Sequence, residues 1–281
     1  MTGKGYGGYY AGYPDQGVPP PKLLNQGKST ENNADIFAAF TALATFDSSN
    51  ANAWTAAANV GGDFVMQMFD LTNGRFNTGT VPLGTVAQPG VCPTGAQKGN
   101  DIINALGPDC DFLDSDTFTT LAMAAAPRYF NYQLPNGAVM DWTVPIQYVL
   151  NTFAQTITVG SQTFQGFDIV TTPLSGANGV AWEFTGQTVE TLRYVDQIYG
   201  QTSFESQADF YLGQIQLAQI LAPYGDNQGL VASTLQKGDT LSPLDQCLDT
   251  PFQNCPPERV GIAATAWMIL AEQRINPLTV P

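Results

Sequence analysis

Apolar positions recur at helical spacing along most of this 281-residue chain, and strict alternation is rare in its longer apolar segments. Ile36, Phe37, Phe40, Leu43 and Ala44 follow the capping run Ser29-Thr30-Glu31-Asn32-Asn33, which predicts a helix over 33–46. Asp47-Ser48-Ser49-Asn50 reads as a turn and a second cap. Trp54, Val60, Phe64, Val65 and Met68 then predict a helix over 51–69, completing an αα-hairpin. The same period predicts helices near 115–126, 141–157, 186–200, 204–222 and 259–273. In the fifth of the seven, Val189, Leu192, Val195 and Tyr199 oppose Glu190, Arg193 and Asp196, and Gly200 ends it as a C-terminal cap. Trp54 and Trp267 lie on apolar stripes and read as core.

Strands are expected only as short pairs in loops such as 72–80, where Thr72-Asn73-Gly74 makes a tight turn. Residues 1–30, rich in Gly, Tyr and Pro and stiffened by Pro19-Pro20-Pro21, read as an extended lead-in to one helical domain over 31–281. The helix pair ending near Phe69 runs into DLTNGRFNTGT, and the pair ending near Leu221 runs into YGDNQGLVAST. A repeated αα unit with a turn-and-strand insertion is the pattern of a helical toroid. The expected fold is therefore all-α, a toroid of helical hairpins with short β-hairpins in its loops. Seven predicted helices against the twelve of a closed six-hairpin ring make it a partial toroid.

Composition narrows the chemistry. Ten Lys and Arg against 24 Asp and Glu give a net charge of −14, which repels phosphate backbones and excludes nucleic acid as a natural partner. No apolar run approaches the length of a membrane span. The opening MTGKGYGGYYAGYPDQG has no basic region followed by an apolar one, so no secretory leader is read there. There is no histidine, which removes Ser-His-Asp and Cys-His catalysis and the usual zinc ligands. Chemistry is left to carboxylates, tyrosines and lysines, and no cofactor is called for.

The four cysteines form two local pairs, Cys92 with Cys110 and Cys247 with Cys255, each bracketing a Pro- and Asp-containing loop. Neither has metal-knuckle spacing, so two loop-stapling disulfides are expected in preference to free thiols. Disulfides imply an extracellular, cell-surface or periplasmic setting. Charged residues are only 12% of the chain, a balance common in secreted enzymes and in extracellular fibres alike.

Three stretches carry a resemblance: Lys28-Ser29-Thr30-Glu31-Asn32-Asn33-Ala34-Asp35, Trp182-Glu183-Phe184-Thr185-Gly186-Gln187, and Ala264-Thr265-Ala266-Trp267 followed by Asn276-Pro277. In this order they resemble the K-S-T-E-H-N-x-D, W-x-E-G-T-A-Q and A-T-A-W…N-P segments of bacterial six-hairpin glycosidase-like proteins. Asn32 stands where that family has His, and the E-G-T-A-Q segment is altered. Family members also carry helices ahead of K-S-T-E that are not seen here. The resemblance implies a toroid with a cleft facing carbohydrate.

Glycoside hydrolysis needs two carboxyl groups flanking the scissile bond. Glu31, Asp35, Asp141, Asp168 and Glu183 sit at helix starts or in loops beside aromatic residues. Glu183, between Trp182 and Phe184, is the leading candidate for the acid, and Glu31 with Asp35, one turn apart, for its partner. Each also suits a plain helix cap, as Asp114 and Asp116 do before Phe118. Trp142, Trp182, Tyr9, Tyr10 and Tyr13 are candidate sugar-stacking residues, with Asp168 beside them as a substrate contact. Asp245 and Asp249 offer oxygens for calcium without the spacing of a dedicated loop. The expected function is an extracellular glycoside hydrolase-like protein acting on a polysaccharide. The alternative is a non-catalytic filament or surface-layer subunit that self-assembles through exposed helix faces.

Overall fold

A computed structural model describes residues 5–12, 26–84, 94–104, 111–170, 179–223, 225–235 and 260–279. The four cysteines, Tyr13, Asp245 and Asp249 lie outside the described residues. The chain divides into two compact units, one formed by 1–111, 118–140 and 278–281, the other by 112–117 and 141–277.

The first unit is built on a helical hairpin. Helix α1 (Thr30–Phe46) starts where the Ser29 hydroxyl accepts the Asn32 amide at 3.2 Å, and α2 (Ala51–Gln67) returns alongside it. Ala34, Phe37 and Ala38 of α1 and Ala58, Phe64 and Val65 of α2 are buried. The two backbones come close at Gly61, where a Cβ would sit 2.9 Å from the Asn33 carbonyl oxygen. A β-hairpin, β2 (Phe69–Asp70) with β3 (Arg75–Phe76), follows α2. A four-stranded antiparallel sheet orders β1 (Lys28–Ser29), β4 (Gly79–Pro82), β6 (Asp101–Asn104) and β5 (Thr94–Lys98) as β1-β4-β6-β5.

The second unit surrounds one helix. Helix α5 (Trp182–Tyr199) packs against α6 (Glu205–Leu221) and α7 (Ile262–Gln273), and its residues from Phe184 to Asp196 are all buried. Gly186 lies against α7, where a Cβ would meet that of Trp267 at 2.9 Å. Helix α4 (Thr143–Thr152) is followed by the hairpin β7 (Ala154–Val159) and β8 (Gln162–Phe167), and β9 (Gly179–Ala181) pairs with β10 (Ser233–Leu235). Helix α3 (Asp114–Met123) has its first turn in this unit.

The all-α toroid is overturned. Seven helices lie where helical spacing predicts them, but the described residues also hold four small antiparallel sheets, so the protein is a mixed α and β fold. The expected helix over 141–157 stops at Thr152, because Thr156, Ile157, Thr158 and Val159 are β-branched and Gly160, at φ 63°, makes the tight turn into β8. Strands β5 and β6 were not expected at all. The supposed solvent side of α5 is buried too: Glu190 is 3%, Arg193 7% and Asp196 3% exposed.

Candidate active site

In the second unit three acid-bearing segments converge. The end of β8 leads to Asp168, α5 opens with Glu183 in its first turn, and α3 opens with Asp114 and Asp116. Phe112 pairs with Val170, and the Leu113 amide donates to the Ile169 carbonyl at 3.1 Å, which lays the start of α3 beside the chain leaving β8. The Phe167 amide donates to the Thr185 hydroxyl at 3.1 Å, which ties the end of β8 to the first turn of α5. The Thr117 hydroxyl meets the Gln187 side-chain oxygen at 3.2 Å and links α3 to α5. Each segment is thus bonded to the other two.

Burial within this group is graded. Asp116 and Asp168 are buried, while Glu183 is half-buried at the head of α5. The Asp168 carboxylate accepts the Ile169 amide at 2.7 Å, which fixes its orientation. Glu183 accepts from the Gln187 side-chain amide at 3.4 Å, one turn along the helix, and Gln187 is in turn engaged by Thr117. The Ser115 hydroxyl oxygen is buried without a hydrogen-bond partner. The helix N-terminus favours negative charge at Glu183. Among the described residues no group of three or more acidic or other ligating side chains is arranged to hold a metal ion. The arrangement offers carboxyl groups of unequal solvation on three connected segments, the residue type that acid–base chemistry uses.

The other candidates fall elsewhere. Trp182 is fully buried with its indole N–H donated to Thr234 at 2.8 Å and Phe164 edge-on at 6.1 Å, and Trp142 is also fully buried. Both rings are enclosed by protein. Asp141, just before α4, accepts the Thr143 amide at 2.9 Å in a local turn and is exposed. Glu31 and Asp35 belong to the first unit, on α1, whereas Glu183, Asp168, Trp142 and Trp182 belong to the second. Asp35 has a buried, unpartnered Oδ1, and burial pushes its carboxyl up to about 6.

One aromatic assembly was not anticipated. Tyr9, Phe40 and Trp54 form a partly buried row in the first unit, with centroids 5.9 and 5.6 Å apart. The Tyr9 backbone is held by Asn33 and its hydroxyl donates to the Ala57 carbonyl at 3.0 Å. The Trp54 indole N–H donates to Asp47 at 2.9 Å. Hydrogen bonds from Ser49, Trp54 and Asn50 hold Asp47 down at about 2. Trp54 one turn after the Asp47-Ser48-Ser49-Asn50 cap is the signal that could have revealed it.

No family model, curated protein or solved structure matches this chain.

Proposed function

We propose that this is an extracellular carbohydrate-active protein of glycoside hydrolase type, cleaving a polysaccharide by carboxylate acid–base chemistry. The observation that carries this reading is the mutual bonding of α3, β8 and α5, which gathers Asp116, Asp168 and Glu183 in one region of the second unit. In this reading Glu183, beside Trp182 and Phe184 in the sequence, donates the proton to the leaving oxygen. Asp168, oriented by a backbone amide, supplies the second carboxyl group. The Tyr9–Phe40–Trp54 row supports a glycan partner as well, because partly exposed aromatic rings held in place stack on sugar faces at little entropic cost. The resemblance of the WEFTGQ and KSTENNAD segments to glycosidase-like proteins supports the same class.

The test is hydrolysis of a panel of polysaccharides by the parent, Glu183→Gln and Asp168→Asn. Turnover should fall about 10²–10⁴-fold in Glu183→Gln with the melting temperature held. Full activity in that variant removes Glu183 from the mechanism. A second reading, a structural subunit, is favoured by the outer side of α7, where Ile262 is 91% and Ile269 53% exposed with Ala266 between them. A native mass far above that of one chain, together with no turnover by the parent, selects that reading.

A further inference from the structure

The surplus acid in the second unit lies on α5. Glu190 is 3% exposed, and its Oε2 is buried and accepts no hydrogen bond. The charged groups around it come from three helices. One turn along α5, Arg193 donates to the Ala271 carbonyl at the end of α7 at 2.6 Å and to Asp209 of α6 at 2.7 Å, and its Nε lies 3.8 Å from Glu205 of α6. Arg274, just after α7, is paired with Glu205. Asp196, further along α5, accepts the Phe204 amide at 2.8 Å. Glu272 on α7 is exposed and bonded to Gln216. The two guanidinium groups are therefore matched by Glu205 and Asp209 before Glu190 is counted.

An ionised Glu190 would be a buried charge with no cation of its own, and such a charge is costly unless it takes up a proton. We infer that Glu190 is a buried proton-binding site, that it is protonated in the native protein, and that its ionisation loosens the packing of α5 against α6 and α7. Burial pushes the Glu190 carboxyl up from 4.5 to about 7, with Arg193 and Arg274 opposing. The sign follows. Below about 4.5 both the folded and the unfolded chain hold the proton, and Glu190 adds no pH dependence. Between there and about 7 the unfolded chain releases it first, so stability falls as pH rises, and above that range the loss is constant. Asp35 in the first unit, raised by burial to about 6, has the same sign. This does not rest on hydrolytic activity.

The experiment is thermal unfolding of the full chain from pH 4 to 8, in the parent and in Glu190→Gln. The parent's melting temperature should drop by about 5 °C between pH 4.5 and 7.5 on account of this group, and the variant should lose that drop and exceed the parent at pH 7.5. Curves that stay parallel across the range overturn the proposal. If Glu190→Gln does not fold, infrared spectra of Asp35→Asn decide it. A protonated-carboxyl band should persist at pH 6, where exposed carboxyls have ionised, and disappear by pH 8. Its absence at pH 6 is equally fatal.

Discussion

The two units handle buried charge in opposite ways. In the first, the buried cations meet carboxylates directly: Lys28 meets Asp101 at 2.5 Å, and Arg75 meets Asp111, with Asp70 at 4.0 Å. Lys28 also lies over the Tyr10 ring at 5.1 Å, which fastens residues 5–12 to the sheet. In the second, Arg193 is shared among a backbone carbonyl of α7 and two acids of α6, and Glu190 is left over. A direct ion pair between two segments fixes how they lie against each other. A shared cation with a surplus acid links three helices and makes their packing depend on protons.

The sharpest way to break the comparison is Lys28→Ala. It strands Asp101 in a buried site and should cost about 3–5 kcal/mol, read as a lower denaturant midpoint. Gly186→Ala acts on the packing of the second unit without touching its charges. The added methyl meets Trp267, so the variant should lose about 1–3 kcal/mol while keeping the parent's pH profile. Ser29→Ala is the mildest. It removes the cap of α1 and should cost about 1 kcal/mol in the melting of the first unit.

The seven helices were legible because each has an apolar period and a stop or start residue; Gly200, at φ 62° after Tyr199, ends α5 as expected. The two echoing insertions share a physical basis. Asp70 accepts the Thr72 amide and Asp226 accepts the Gln228 and Gly229 amides, so each opens with an aspartate-led turn. Their recurrence argued for a toroid only because the sheets between them were missed. The β7–β8 hairpin could have been read from Thr156-Ile157-Thr158-Val159-Gly160-Ser161, whose alternation and Gly-Ser turn outrank the helical period of 141–152. Strands β5 and β6 carry the weak strand formers Gly95, Ala96, Lys98 and Asn104, and pairing decides their state, not propensity.

Within the site, Glu183 and Asp168 were visible as acids in suitable settings. Their convergence with the start of α3 was not, because it depends on the bridge from Phe112 to Val170 and on the Thr117–Gln187 bond, contacts between segments far apart in sequence. The burial of Trp142 and Trp182 was hidden for the same reason. A tryptophan flanked by acids looks alike on a cleft wall and in a core until its neighbours are known.

The central claim is that the carboxyl groups gathered by α3, β8 and α5 hydrolyse a polysaccharide, and release of reducing ends from a polysaccharide panel by the parent protein tests it most directly. The account predicts turnover by the parent that Glu183→Gln reduces by about 10²–10⁴-fold at unchanged melting temperature. Release by the parent no greater than that of the variant on every glycan would contradict it.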